Sequence, residues 1–180
     1  MISKRRLLVD GLLLSTLFSV IAVGSLSIDP TIHLENYPPD VRAAVADSIE
    51  PPVALQALVG GILVVFMLGG LIWSLKRLDR ELGGIGFLAA TFHVFLISWI
   101  VNAADVLIVD WFFFMTLPRS WIVLPGTEGL AGYDDYGFHF RESFLTLTPW
   151  VGSLVLSLGM GAGWWGFVTR RRAEQPEWLP

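Results

Sequence analysis

Three ionisable side chains, Asp10, His93 and Asp105, fall inside long apolar stretches of this sequence. Charge is expensive in hydrocarbon, so each is a candidate for chemistry before it is a candidate for packing. Asp105 shares its surroundings. At about 100° per residue, Thr91, Ser98, Asn102 and Asp105 fall within a helical sector of about 60°. Thr146, Ser153 and Ser157 repeat the arrangement on a later stretch, within about 40° of one another. Two such stripes face protein rather than lipid, and together they predict a polar seam. Interhelical hydrogen bonds of about 0.6 to 2 kcal/mol each would make it packing glue. A water-filled seam would instead make it a binding cleft or a route for protons or ions.

His93 lies on a different sector. Two axial imidazoles for a haem would need a second histidine at membrane depth, and His33 and His139 fall in loops. The spacing predicts a hydrogen bond from His93 to a backbone carbonyl or to a serine on the second or fourth span; a haem or quinone contact is the alternative. Asp10 lies one turn inside the first span, near Lys4, Arg5 and Arg6, and is expected to pair with them or to snorkel to the interface. Near the last span, His139, Glu142 and Glu128 form a set that could hold zinc or another divalent ion. Arg141 beside them opposes a cation. The competing arrangement is a salt-bridged loop in which Arg119 and Arg141 meet Glu128, Asp135 and Glu142.

The elements that must position these groups are membrane helices. The 180 residues are 54% hydrophobic and 16% charged, with a mean hydropathy of +0.64 and a formal net charge of −4. A soluble domain carries roughly a quarter charged residues. This balance excludes a disordered chain and a basic nucleic-acid binder, and the absence of cysteine excludes thiol catalysis and Cys-ligated metal centres. No HExxH, GxSxG or phosphate-binding glycine loop occurs, so enzyme chemistry has no motif here and no cofactor is predicted beyond a divalent metal at the loop.

A bilayer core of about 30 Å needs roughly 20 helical residues. Four continuous apolar stretches meet that length, at about 7–27, 53–75, 85–109 and 144–168. The expected fold is an all-α, integral membrane four-helix bundle in one domain, its partner the lipid bilayer. The first stretch also resembles a secretory signal peptide, but its apolar run is longer than the usual one, and it is expected to stay as an anchor. Nine of the twelve Lys and Arg residues cluster at 4–6, 76–80 and 170–172, leaving Arg42, Arg119 and Arg141 opposite. The positive-inside rule then puts both termini and the connection at 76–84 in the cytoplasm, in a cell inner membrane, with loops 28–52 and 110–143 outside. Asp105 is read as the acid furthest inside a span.

In loop 28–52, Asp40 is expected to cap a short interfacial helix bracketed by Pro38-Pro39 and Pro51-Pro52. Loop 110–143 is too long and aromatic to float in water and is expected to fold back as a cap over the outer end of the bundle. Within it, Val123-Leu124-Pro125-Gly126-Thr127-Glu128-Gly129, followed by Tyr133 to Phe140, resembles a segment of small uncharacterised multi-span bacterial membrane proteins. The resemblance covers about a fifth of the chain; it implies a bacterial membrane origin and carries no activity, cofactor or site residue. Ala57 with Gly61, and Gly152, Gly159 and Gly163, are small residues at spacings that let helices approach. The residues therefore favour a non-catalytic accessory subunit or scaffold, as a homo-oligomer or part of a larger membrane complex. A small transporter or ligand-binding bundle using the seam is the rival, and a metal-dependent enzyme at the cap a third reading.

Overall fold

The computed structural model describes residues 3–117 and 121–173, with side chains described as far as Arg170. Four helices are long and apolar enough to cross a membrane, as the continuous apolar stretches predict. They are α1 (Lys4–Ile28), α3 (Val53–Leu82), α4 (Phe87–Ala104) with its continuation to Thr116, and α6 (Leu147–Ala173). Short helices α2 (Pro39–Val45) and α5 (Tyr136–Phe140) lie in the two connections at one end of the bundle. No strand occurs among the described residues, so the protein is an all-α four-helix membrane bundle.

Three boundaries differ from expectation. The helix of span two runs on through Lys76–Leu82, because charged residues at a membrane surface are compatible with helix even though they end an apolar run. It stops where Gly83 adopts a left-handed conformation (φ 68°), which only glycine enters without strain. Asp79 locks that turn: its carbonyl accepts from Gly84 N–H at 2.9 Å and its carboxylate from Ile85 N–H at 2.9 Å. The third span likewise continues past Val109, so the aromatic run Trp111-Phe112-Phe113-Phe114, expected as loop, is helical. The fourth helix starts at Leu147, its approach formed by a π-helical turn at Arg141–Leu145.

From Asp105 to Thr116 the third span is π-helical, its hydrogen bonds running to the fifth residue back, as from Leu117 N–H to the Phe112 carbonyl at 3.2 Å. Such segments are rare and are frequently found at functional sites. The wider turn changes which residues face together. Asp105 and Asp110 would diverge by about 140° on an α-helix, whereas a five-residue turn stacks them on one side.

The core of the bundle joins Leu14, Leu71, Leu75, Leu78, Ala90, Val94, Ile97 and Trp164. Thirty-nine per cent of the third span's apolar window is buried against 11% for the second, so the third span is the central helix and the second turns most of its surface outward. Helices meet closely at three glycines. A Cβ at Gly11 would touch Ile100, one at Gly70 would collide with Leu14, and one at Gly161 would collide with Thr91. The glycines expected from spacing alone, Gly61, Gly152, Gly159 and Gly163, have nothing within 4 Å of that position.

A second core closes the end of the bundle distal to the chain termini, hereafter the cap end. Tyr37, Val41 and Val45 from the first connection pack with Phe114 of the third span and with Ile122, Leu124 and Tyr133 from the second connection. Tyr37 Oη donates to the Ile122 carbonyl at 2.9 Å, across 85 residues of chain. Burial pushes the Tyr37 phenol up, well beyond its usual range, which keeps it a donor. Asp40 does not cap α2, whose N-cap is Pro38; its Oδ2 instead accepts the Gly132 amide at 2.8 Å and ties the two connections together.

Candidate functional site

The cap covers a cavity of about 480 Å³, within the range of small-ligand sites. Its apolar walls are Phe18, Ala22 and Leu26 of α1, Leu63 of α3, Val109 and Phe114 of the π segment, and Phe138. Its polar groups come from three places: His33, Glu35 and Arg42 from the first connection, Asp105 and Asp110 from the π segment, and His139, Glu142 and Ser143 from the second. The fold therefore gathers four carboxylates, two imidazoles and one guanidinium around one volume.

Part of this set is already paired. Arg42 Nη1 lies 3.4 Å from Glu35 Oε2, at an exposed edge where such a pair contributes little. His33 Nε2 lies 2.7 Å from Ser25 Oγ, and burial of the ring lowers its pKa, favouring neutral imidazole. His139 Nδ1 lies 3.3 Å from Asp110 Oδ1. Two groups are left over. His139 Nε2 is buried with no hydrogen-bond partner, in a side chain only 6% exposed, and Asp105 makes no hydrogen bond or ion pair with any other described residue.

The seam residues fare differently. Ser98 Oγ donates to the Val94 carbonyl, Ser157 Oγ to the Ser153 carbonyl and Thr146 Oγ1 to the Glu142 carbonyl, each four residues back on its own chain. Thr91 packs on Gly161. Only Asn102 reaches across, its Nδ2 donating to the Ser143 carbonyl at 3.1 Å. Helices α4 and α6 do lie together there; the Ser98, Ser157 and Thr146 hydroxyls satisfy themselves locally, the Thr91 hydroxyl is buried with no hydrogen-bond partner among the described residues, and Asp105 leaves the stripe for the cavity because the π turn begins at that residue. Thr91, Ser98, Ser153 and Ser157 do not line the cavity.

The three residues proposed for a metal are not assembled. His139 and Glu142 line the cavity, but Glu128 turns back on its own loop, its Oε1 accepting the Gly126 amide at 3.3 Å. Among the described residues no three His, Asp or Glu side chains converge to hold a metal ion. Arg141 bonds Asp135 at 2.8 Å, and this hydrogen bond lowers the Asp135 pKa; Arg119 lies outside the described residues.

At the opposite end of the helices a second polar cluster is built around the buried side chains of Asp10, Ser74, His93 and Arg6. Asp10 is 0% exposed, and it is Asp10, not Asp105, that is the most enclosed acid. Instead of snorkelling, it accepts from Ser74 Oγ at 2.6 Å and from Arg77 Nη1 at 2.9 Å, with Arg6 Nε 3.5 Å away. Arg6 also pairs with Glu81. His93 Nε2 lies 2.7 Å from Ser74 Oγ, so the serine is the one on the second span. Because the hydroxyl proton points to Asp10, Nε2 must be the donor, and Nδ1 is left bare, buried and without a partner.

Sequence reasoning did not anticipate Asp110, His33 and Glu35 in the cavity, nor Ser74 and Arg77 beside Asp10. The five-residue spacing of Asp105 and Asp110 was visible, but it signals a shared face only once the turn is known to be π. Ser74 and Arg77, three apart on one helix face, were readable as partners for the buried Asp10.

Fold and site together define a four-helix membrane protein with a cavity of mixed polar and apolar lining beneath a structured cap. No known protein family, characterised protein or solved structure is detectably similar to the chain.

Proposed function

We propose that this is a ligand-binding membrane protein whose site is the cap-end cavity. The observation that carries the reading is the presence around one volume of about 480 Å³ of Asp105 and His139 Nε2, neither of which has a hydrogen-bond partner among the described residues, the latter buried. Unsatisfied polar groups cost about 1–3 kcal/mol each when buried. A protein tolerates that where a ligand supplies the missing partner. In this reading the cap end faces outside and both termini are cytoplasmic, in a bacterial inner membrane, which the nine-to-three distribution of Lys and Arg supports. Binding is favoured over passage because the Ser98, Ser157 and Thr146 hydroxyls each bond to a carbonyl four residues back and Thr91, Ser98, Ser153 and Ser157 stand away from the cavity.

The test is native mass spectrometry of the intact protein released from lipid nanodiscs, beside an Ala22→Trp variant that fills the cavity. A small-molecule adduct on the wild type that is lost in the variant is the expected result. An adduct that survives the filled cavity, or none on either protein after incubation with a small-molecule mixture, would overturn the reading.

A second reading, an accessory subunit or self-associating scaffold, is favoured by the outward face of α3. Ala57, Gly60 and Gly61 are exposed there, and no atom lies within 4 Å of a Cβ at either glycine. Small residues at this spacing let helices approach in lipid. Gly61→Leu would then shift an oligomer toward monomer in the same mass spectra; an oligomer unchanged by Gly61→Leu would count against it.

A further inference from the structure

We propose that the cavity takes a protonated amine carrying an apolar body, its ammonium held by Asp105 and His139. This rests on the reading of the cavity as a ligand site and adds the chemistry of the ligand.

The groups left unsatisfied are acceptors. His139 Nδ1 faces the Asp110 carboxylate at 3.3 Å, so in the neutral ring the proton sits on Nδ1 and Nε2 offers a lone pair. That nitrogen is buried without a donor. Asp105 lines the cavity with no cation partner among the described residues, and a bound cation would favour its carboxylate form, which is acceptor-only. A ligand that completes both must bring N–H or O–H donors. An ammonium brings up to three.

Charge selects among donors. Asp105, Asp110 and Glu142 line the cavity with no Lys or Arg within ion-pair distance among the described residues, and the one lining guanidinium, Arg42, already faces Glu35. The field inside is negative, so a cation is attracted and a carboxylate or phosphate repelled.

Size and walls then separate an amine from a bare ion. A water occupies about 30 Å³, far below the 480 Å³ available, and no triad of metal ligands converges. Phe18, Phe114 and Phe138 supply apolar and aromatic surface that a metal ion would leave unused. Aromatic faces also attract alkylammonium groups, most strongly where water is excluded.

Three probes of matched shape test this on the full chain in nanodiscs by isothermal titration: 2-phenylethylammonium, 2-phenylethanol and 3-phenylpropionate. The amine is expected to bind at least about tenfold tighter than the alcohol, as a hydrogen bond to a charged group implies, with the carboxylate weakest. Asp105→Asn should cut the amine's affinity about tenfold or more and leave the alcohol's unchanged. If the alcohol or the carboxylate binds as tightly as the amine, the proposed chemistry is wrong while the ligand site stands. If none of the three binds and Ala22→Trp changes no adduct, both fall. The wild-type comparison keeps the test decisive even where Asp105→Asn fails to fold.

Discussion

His139 Nδ1 lies 3.3 Å from Asp110 Oδ1, a contact between the second connection and the π-helical end of the third span that orients the imidazole over the cavity. A carboxylate at this distance favours the proton on Nδ1, and the arrangement predicts that tautomer for the neutral ring. In ¹⁵N spectra of selectively labelled protein, the neutral His139 ring should show a protonated Nδ1 and a bare Nε2. Asp110→Ala should abolish the preference. A ring protonated on Nε2 in the wild type would contradict the role given to Asp110.

Asp10 and Ser74 stabilise the other end of the bundle. Asp10→Ala leaves the buried Arg6 without one of its counter-charges, and breaking a buried pair this way costs about 3–5 kcal/mol. Ser74→Ala removes the donor to Asp10 and the partner of His93, for about 1–3 kcal/mol. Chemical unfolding in detergent measures both. Loss of less than 1 kcal/mol, roughly the worth of an exposed pair, in Asp10→Ala would show that the cluster is solvated.

Close approach at Gly161 is the clearest packing constraint. Its Cβ position collides with the Thr91 hydroxyl and lies 3.1 Å from the Thr91 backbone nitrogen, which cannot swing away. Gly161→Ala should destabilise the bundle by about 1–3 kcal/mol through overpacking. Gly159→Ala, two residues away with nothing within 4 Å, should be neutral or slightly stabilising. Equal effects of the two on thermal unfolding would mean that α4 and α6 do not pack as described.

The cap should loosen in acid in two stages. Burial lowers the pKa of His33 below the usual 6.5, so the unfolded segment takes up its proton first; stability is full above pH 6.5 and falls as pH drops below it. Asp135, lowered by the Arg141 hydrogen bond, contributes stability that is present above 3.8 and is lost below it. Hydrogen exchange of the Ile32–Tyr37 amides, corrected for intrinsic rate, should quicken between pH 6.5 and 5. Protection that is constant or rises over that interval would contradict the His33 assignment.

The helices themselves were legible because unbroken apolarity of bilayer length has few other solutions. Their ends were less so: an apolar run records where lipid stops, whereas Lys76–Leu82 and Trp111–Thr116 continue the helix beyond it. The candidate site was legible by residue type at Asp105, His139 and Glu142, all of which line the cavity. It was not legible as an assembly. The π turn that brings Asp110 beside Asp105 alters the angular register on which a helical-wheel reading rests, and contacts such as Asp10 with Arg77, 67 residues apart, depend on how the spans pair.

The proposal that the cavity is reached from outside, beneath the cap, is tested most directly by cysteine accessibility, since the chain has no cysteine of its own. Single substitutions Ala22→Cys in the cavity wall, Ala90→Cys in the bundle core and Ala131→Cys on the exposed cap would be treated in intact cells with a membrane-impermeant, trimethylammonium-bearing methanethiosulfonate. The account predicts modification at Ala22→Cys and Ala131→Cys and none at Ala90→Cys. An inert Ala22→Cys beside a modified Ala131→Cys would contradict it.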